Sequence, residues 1–366
     1  MALGIGGAGS KLAHTLDSNA TIVNVSQTEL SKIPCEKRVL AVVHSNTGQL
    51  RGSRKSPQIG RDAFQSVKRE LLHLIPGDDV ISSTGGGTGN GITASILEEL
   101  CRHEDVDTND KTNFILILPY AKLESAEFVD NTTSFLQDPL SRAIDSGNTG
   151  NIFLFSNQVK FESRLTEGAY NKMLADSLKT FRAIPEKGES YELLDGHIDY
   201  EDFSLFTSRP YFNHFTYFDY NPEESFESQF NDNLNPFLLK PAVPIEALFL
   251  LELPPRYDSS CFYEILQHFA EKDVTPTYSV LENPRLEKPF ITASVLYSRK
   301  PTELVEDFNR ISHEHTQAKI RKSLEQHVSL PTLEVNLEKE AKEAAAESGS
   351  GDDDDILNVL RRLGKI

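Results

Sequence analysis

The segment Ser82-Ser-Thr-Gly-Gly-Gly-Thr-Gly-Asn-Gly91 decides the fold of this chain. It lies between a short apolar run that predicts a β-strand, Asp79–Ser82, and a helical pattern, Gly91–Cys101. Five glycines within seven positions cost backbone entropy on folding, so they are expected to serve a purpose. Glycines and hydroxyls at a helix N-terminus form a nest of N–H groups that binds anions. The segment predicts a phosphate-binding loop, but not a Walker loop, because no Gly-Lys-Ser/Thr follows.

A second glycine-rich segment, Gly4-x-Gly6-Gly7-x-Gly9, directly follows the first predicted strand. Its spacing matches the dinucleotide-binding pattern G-x-G-x-x-G, which is a weak signal by itself. The second predicted strand, Thr21–Val25, carries Asn24 where such proteins hold a ribose with Asp or Glu. An NAD(P)-dependent oxidoreductase and a purely structural turn are therefore the alternatives. Two glycine loops in one chain can also surround a single polyphosphate from two sides.

Strand and helix patterns alternate through the first half of the chain, which is typical of a mostly parallel sheet covered by helices on both faces. Later strands and helices predict a smaller α+β domain, and the aromatic and polar stretch at 211–241 predicts an irregular connection. We expect a Rossmann-like α/β domain at residues 1–182, which ends at the start of a central helix, and a connecting segment at 183–240. The α+β domain is expected at 241–330, a flexible linker at 331–351 and an acidic, amphipathic peptide at 352–366.

The composition excludes several classes of protein. A net charge of −18 argues against direct binding of nucleic acid or an anionic membrane by the body of the protein. No run approaches the roughly 20 apolar residues that cross a bilayer, and the N-terminus lacks the features of a signal peptide. The three cysteines, Cys35, Cys101 and Cys261, are scattered, which indicates reduced thiols. We therefore expect a cytoplasmic protein.

The segment Gly85–Gly91 resembles the GGGTGSG or GGGTGTG signature of the tubulin/FtsZ superfamily. Gly6–Gly9 resembles the first nucleotide loop of that family, and Asn24–Leu30 is similar to its NTDAQAL segment. Leu50–Gly60 stands where the family has its γ-phosphate-sensing loop, although its basic residues would also suit a solvated loop. The matches keep the family's order along roughly residues 1–205.

The resemblance implies a guanine nucleotide and the residues that hold it. Pro119 and Glu124 match the family loop whose glutamate meets the ribose, and Asn171 matches the asparagine that hydrogen-bonds guanine. The expected site for GTP or GDP, together with Mg²⁺, consists of Gly6, Gly7, Gly9, Ser10, Asn24, Arg54, Gly85, Gly86, Gly87, Thr88, Gly89, Asn90, Gly91, Pro119, Glu124 and Asn171.

The chain also departs from the family pattern around the nucleotide. The arginine that often follows the family's glutamate is missing, and Ala126-Glu127-Phe128 stand there instead. Glu167 occupies the position of the base-stacking aromatic residue, so Tyr170 or Phe161 is expected to substitute. Because of these departures, a filament protein or regulator that binds nucleotide without hydrolysing it remains a further alternative.

Gly196–Phe203 is similar to the LDFAD motif that follows the family's central helix. The resemblance implies that Asp199 and Asp202 are catalytic and act on the nucleotide of the next subunit in a head-to-tail homopolymer. Two acids at a helix start are, by themselves, typical of a cap and a complement to the helix dipole.

The end of the chain resembles the terminal peptide of FtsZ at Asp354–Arg362. Its apolar residues at helical spacing predict a peptide that docks on an adaptor protein, and a solvated acidic tail is the alternative. The resemblance as a whole implies a GTPase that polymerises with itself. Such a protein would serve prokaryotic cell division or shape, or the segregation of viral or plasmid DNA.

Overall fold

A computed structural model describes residues 1–46, 48–75, 79–102, 111–298 and 302–325. The chain divides into two compact units, Met1–His315 and Thr316–Ile366. The predicted linker at 331–351 and the predicted docking peptide at 352–366 lie outside the described residues. The predicted domain boundaries near residues 182 and 240 stay predictions.

The strands of the described residues are β1 (Ala2–Ile5), β2 (Thr21–Asn24), β3 (Lys37–Leu40), β4 (His44–Ser45), β5 (Gly48–Gln49), β6 (Asp79–Ser83), β7 (Phe114–Leu118), β8 (Ile152–Ser156), β9 (Glu192–Gly196), β10 (Phe212–Asp219), β11 (Glu246–Leu253), β12 (Thr277–Glu282) and β13 (Phe290–Tyr297).

The helices are α1 (Gly6–Leu16), α2 (Gln27–Ser31), α3 (Pro57–Leu74), α4 (Gly87–Leu100), α5 (Ala126–Gln137), α6 (Pro139–Ser146), α7 (Gln158–Glu162), α8 (Glu167–Arg182), α9 (Ile184–Ser190), α10 (Tyr200–Thr207), α11 (Phe226–Asp232), α12 (Phe262–Ala270) and α13 (Thr302–Glu325). A short 3₁₀ turn at Ser259–Cys261 precedes α12.

Eleven strands form one sheet in the order β3-β2-β1-β6-β7-β8-β10-β13-β11-β12-β9. The strands from β3 to β8 are all parallel, as the alternation of strands and helices predicts. Beyond β10 the sheet is mixed, because β13 runs antiparallel to both of its neighbours. The predicted α/β fold class, a parallel half followed by an α+β half, is confirmed.

The parallel half has an apolar core on each face. The central strand Phe114–Leu118 is buried along its whole length, as expected for a strand covered on both sides. Side chains of α3, α4, α5 and α6 pack on one face, whereas those of α1 and α8 pack on the other. The carboxyl ends of β1, β6, β7 and β8 therefore share one edge of the sheet, and the amino ends share the opposite edge.

The two halves of the sheet meet at a narrow junction. β10 pairs with β8 at a single position, Phe212 with Ile152. Farther along β8, the chain segment 237–239 replaces β10, because Ser156 N donates to Phe237 O at 2.8 Å and Leu239 N donates to Leu154 O at 3.1 Å. We call this the β8–β10 seam.

The prediction that residues 211–241 form an irregular connection is wrong, because β10 and α11 lie there. Asn213, His214 and Thr216 interrupt the apolar pattern of β10, which hides the strand in the sequence. These polar residues are nevertheless buried, since β10 lies inside the sheet and each finds a hydrogen-bond partner there.

His214 makes the fold sensitive to acid. Its ring is fully buried; Nε2 accepts a hydrogen bond from Asn235 N at 3.2 Å, so Nδ1 donates to Leu239 O at 2.8 Å. Burial lowers the pKa of His214 from 6.5 to about 4. Because the folded-state pKa is the lower one, this contribution to stability is full above pH 6.5 and is lost as the pH falls toward 4.

We expect the free energy of unfolding to fall by about 3 kcal/mol from this group between pH 7 and pH 4. Urea unfolding measured across that range gives the slope. His214→Gln cannot titrate, so it should be less stable at pH 7 and show a shallower decline with acid. Identical slopes for the parent and the variant would contradict this assignment.

Candidate functional site

Two adjoining concavities lie at the carboxyl edge of the parallel strands. The glycine lobe, of about 320 Å³, is lined by Gly6, Gly7, Asn24, Ser26, Glu29, Gly52, Ser53, Arg54, Lys55, Ser83, Gly86, Gly87, Thr88, Gly89 and Phe128. The Glu124 lobe, of about 250 Å³, is lined by Ala8, Ser83, Gly85, Gly86, Ile117, Pro119, Glu124, Phe128, Asn157 and Lys160. The residues shared by both lobes, Ser83, Gly86 and Phe128, mark where they join.

Two helix N-termini meet in the glycine lobe. α1 begins at Gly6 immediately after β1, and α4 begins at Gly87 after its N-cap, Gly86. Neither helix has a side-chain cap or an acidic residue in its first turn, so free N–H groups and the positive ends of the helix dipoles face the lobe. This arrangement suits a polyphosphate.

Several predicted site residues support the lobes from behind and do not line them. A Cβ on Gly9 would overlap Ile81 O, and one on Gly91 would overlap Pro57 O where α3 crosses α4. Ser10 is buried and its hydroxyl donates to Gly4 O at 3.2 Å. The Asn90 amide donates to Thr84 O and to Asn131 O. These residues pack α1 and α4 against the neighbouring strand, loop and helices, so their role is structural.

Asn24 lines the glycine lobe through a local network. Its Oδ1 accepts from Ser26 N at 3.1 Å, and its Nδ2 donates to Glu29 Oε2 at 2.7 Å. A Cβ on Gly7 would lie 3.0 Å from the same Glu29 oxygen. Sequence reasoning missed Glu29, because no motif points to a carboxylate beside a phosphate-binding loop.

The loop before α3 brings cations to the glycine lobe. Arg54 and Lys55 both line it, and both have left-handed backbone with φ of 50° and 60°. Lys55 Nζ lies 5.1 Å from the centroid of the Phe128 ring and pairs with Glu127 Oε2 at 3.2 Å. Lys55, which comes from another segment, therefore places a cation beside residues 126–128, where the expected arginine is missing, and its amine lies over the Phe128 ring.

The Glu124 lobe holds its carboxylate in a fixed place. Glu124 Oε2 accepts from Tyr120 N at 2.6 Å and from Asn157 Nδ2 at 3.0 Å. Pro119 lines the same lobe, as do Asn157 and Lys160, which the sequence did not single out. A carboxylate, an amide and an amine around one cavity can recognise the hydroxyls and polar ring atoms of a nucleoside.

The two aromatic candidates for base stacking, Tyr170 and Phe161, differ in how far they are buried. The Tyr170 ring is buried against Phe237, and its hydroxyl donates to Ser156 O at 2.7 Å. Burial also raises the pKa of Tyr170. Phe161 is only half-buried, and Lys160 Nζ lies 5.5 Å from its ring centroid. Asn171 lies on the first turns of α8, is nearly buried and lines neither lobe.

The acid pair lies at the start of α10. Asp199 is the N-cap, and its Oδ1 accepts from Asp202 N at 2.7 Å. This bond is the cap that the spacing of the two acids predicts from local chemistry. It consumes one oxygen of Asp199, whereas no partner of the Asp202 carboxylate appears among the residues that the structure describes.

α10 lies at the edge of the sheet opposite to the two lobes. The Phe203 ring lies 5.1 Å from the Phe181 ring, near the end of α8. Arg182, the last residue of α8, pairs with Asp79 at the amino end of β6. At the other end of α10, Thr207 O accepts from Asn151 N just before β8. The structure therefore does not bring the acid pair to the glycine lobe of the same chain.

Within the described residues, no group of three or more His, Cys, Asp or Glu side chains is arranged to hold a metal ion. The same residues contain no helix that is long and apolar enough to span a membrane.

Comparison with known proteins supports the resemblance in fold and, locally, in sequence. No family model matches the chain. FtsZ 1 of Pyrococcus woesei is 28% identical over 109 residues, which are 27% of this chain and 29% of that protein. FtsZ 1 of Pyrococcus abyssi is 30% identical over 105 residues, 26% of this chain and 28% of that protein. The match thus spans less than a third of these curated relatives.

Solved structures share the fold over most of the chain. CetZ2 of Haloferax volcanii, in a GTPγS-bound protofilament, is 18% identical with a TM-score of 0.64, covering 87% of this chain and 98% of that one. A protofilament of TubZ from Bacillus thuringiensis serovar israelensis is 14% identical with a TM-score of 0.71, covering 88% and 93%. FtsZ of M. jannaschii is 17% identical with a TM-score of 0.59, covering 81% and 87%. The chain therefore has the fold of the tubulin/FtsZ superfamily, and a segment of about a quarter of its length is similar in sequence to FtsZ 1.

Proposed function

We propose that this protein is a GTPase that assembles head to tail into filaments and hydrolyses GTP where one subunit meets the next. The observation that carries the proposal is the placement of the candidate catalytic acids. The glycine lobe is at the carboxyl edge of the parallel strands, whereas Asp199 and Asp202 are at the amino edge. A second copy, stacked in the same orientation, would bring its acid pair to the lobe of the first.

The triphosphate is assigned to the glycine lobe and the nucleoside to the Glu124 lobe. The two helix N-termini stabilise phosphate charge, and the Arg54–Lys55 turn supplies cations beside them. Mg²⁺ is usually bound by one or two carboxylates together with phosphate oxygens, and Glu29 supplies a carboxylate in this lobe. A bound Mg²⁺ would neutralise part of the charge that develops on the phosphates.

Asp199 and Asp202 have different roles at the proposed interface. Asp199 fixes the first turn of α10 through its hydrogen bond to Asp202 N. Asp202 then presents a carboxylate that can orient a water molecule and accept its proton as that water attacks the terminal phosphate of the neighbouring subunit. Hydrolysis would therefore wait for assembly.

The surface around the acids fits a contact between copies. On α10, Tyr200 is 50% exposed and Leu205 is 47% exposed, although both are large and apolar. Both side chains are available to a contact made by this helix. A contact between two different faces of identical subunits does not close on itself, so it produces an open filament.

GTP hydrolysis should rise more steeply than linearly with protein concentration, because each active site needs two copies. Phosphate release and sedimentation, measured with GTP over a range of protein concentrations, check this. Hydrolysis that is strictly first order in protein, without pelletable polymer, would contradict assembly-dependent catalysis. Mass spectrometry of the bound nucleotide separates GTP or GDP from the NAD(P) of the alternative oxidoreductase.

The cellular task belongs to the same proposal. Polymers of this kind would serve cell division or shape, or the segregation of viral or plasmid DNA. Because the net charge is −18, DNA would be reached through an adaptor protein rather than by the body of the filament. The peptide at 352–366 is the segment we propose for that adaptor.

A further inference from the structure

One side-chain amide on α5 connects two loops of the glycine lobe. Asn131 Nδ2 donates to Lys55 O at 2.9 Å and to Gly85 O at 2.8 Å. The first acceptor belongs to the cationic turn before α3, and the second belongs to the glycine loop after β6. The backbone carbonyl of Asn131 accepts from the Asn90 amide at 2.9 Å, which ties the same point to α4.

The turn that Asn131 holds is one that the chain disfavours. Arg54 and Lys55 are consecutive non-glycine residues with left-handed backbone, and such residues cost on the order of 1 kcal/mol each. A conformation of this kind persists only when its surroundings fix it. The bond from Asn131 reaches the carbonyl of Lys55, which is the end of the left-handed pair.

The turn also packs directly on the start of α4. A Cβ on Gly87 would lie 2.6 Å from Ser53 Oγ and from Ser56 N, so no layer of solvent separates the two segments. Arg54 and Lys55 line the glycine lobe but not the Glu124 lobe. The Arg54–Lys55 turn thus lies beside the cavity assigned to the phosphates, and the Lys55 amine lies over Phe128, where the two lobes join.

We propose that Asn131 is a positioning residue that makes the site discriminate between nucleoside triphosphates and diphosphates. It holds the Arg54–Lys55 turn so that both cations are directed at the terminal phosphate before the nucleotide arrives. A pre-formed turn spares the ligand the cost of ordering it, and only a ligand with the third phosphate gains from it. This inference rests on the function proposed for the glycine lobe and the Glu124 lobe.

The test compares the binding of GTPγS and GDP to the full-length protein, at concentrations below those that form polymer. Asn131→Ala is expected to weaken GTPγS about tenfold and GDP less than twofold. Thr133→Ala is the matched control: it lies on the same helix, and among the described residues its hydroxyl bonds within that helix alone, to Val129 O. It should leave the ratio of the two affinities unchanged.

A second arm shows whether Asn131 acts through the turn. Replacing Arg54 and Lys55 by glycine removes both charges and relieves the left-handed backbone. In that background, Asn131→Ala should change the GTPγS-to-GDP ratio less than twofold, because nothing remains to be positioned. The same tenfold loss in both backgrounds, or an equal loss for both nucleotides, would overturn the positioning role. If the parent protein binds neither nucleotide, the proposed function itself fails.

Discussion

Asp202→Asn should lower the rate of GTP hydrolysis by about 100-fold or more and leave GTP affinity within about twofold. The amide has the shape of the carboxylate but cannot accept a proton from water. Nucleotide affinity should persist because Asp202 is at the edge of the sheet opposite to the glycine lobe. Single-turnover phosphate release and equilibrium binding measure the two quantities separately.

The companion variant distinguishes chemistry from folding at the same helix. Asp199→Ala removes the cap of α10, which should lower stability by about 1 kcal/mol. The cap does not involve the Asp202 carboxylate, so Asp202→Asn should leave the unfolding transition unchanged. A large loss of stability in Asp202→Asn, or an unchanged hydrolysis rate, would remove Asp202 from the mechanism.

Gly86→Asp should weaken GTP binding by about 100-fold or more in a protein that still folds. Gly86 has φ −77° and ψ 165°, which any residue adopts, and its Cβ would make only an ordinary contact of 3.5 Å with Ser83 Oγ. Asp is also a favourable N-cap, so α4 should not suffer. A carboxylate about 4 Å from a phosphate is repelled by about 4 kcal/mol at an effective dielectric constant near 20.

Gly86→Ser supplies the neutral control, since serine caps a helix equally well without a charge. It should keep GTP affinity within about threefold. Gly87→Val is a poorer probe: a side chain there would displace the loop at Ser53 and Ser56 whether or not a phosphate is bound. Equal affinities for the Asp and Ser variants would show that the α4 N-terminus does not face the nucleotide.

A mixture of the two inactive variants tests the arrangement in trans. Asp202→Asn retains an intact cleft, and Gly86→Asp retains an intact acid pair. In a random copolymer, about a quarter of the junctions would join one intact cleft to one intact acid pair. Hydrolysis should therefore reappear on mixing, and a mixture as inactive as its components would argue against catalysis between subunits.

The sequence predicted those parts of the fold and site that depend on local backbone chemistry. Both glycine loops lie between a strand and a helix as expected, because glycine spacing reports directly on tight turns and close approach. α4 begins at Gly87, earlier than the predicted Gly91, because glycines continue into the first helical turn and carry no apolar signal.

The parts of the site that the sequence did not predict are brought together by long-range packing. Lys55, Phe128 and Asn131 come together from two distant segments, and each is an ordinary residue in its own sequence context. The same limit explains β10, whose buried polar residues are satisfied by partners that only the folded sheet supplies, such as Asn151 for Asn213. No periodicity within the strand encodes those partners.

The β8–β10 seam has a mechanical consequence for the proposed filament. α10 is tied to the amino end of β8 through Asn151, and the cleft lies at the carboxyl ends of β6, β7 and β8. Tension applied along the filament would pass from one contact to the other mainly through the parallel strands. The mixed half of the sheet pairs with β8 at one ladder position and through the segment 237–239, so it lies beside this path and would take a smaller share of the load. It could accept insertions or bind other molecules without weakening the longitudinal connection between subunits.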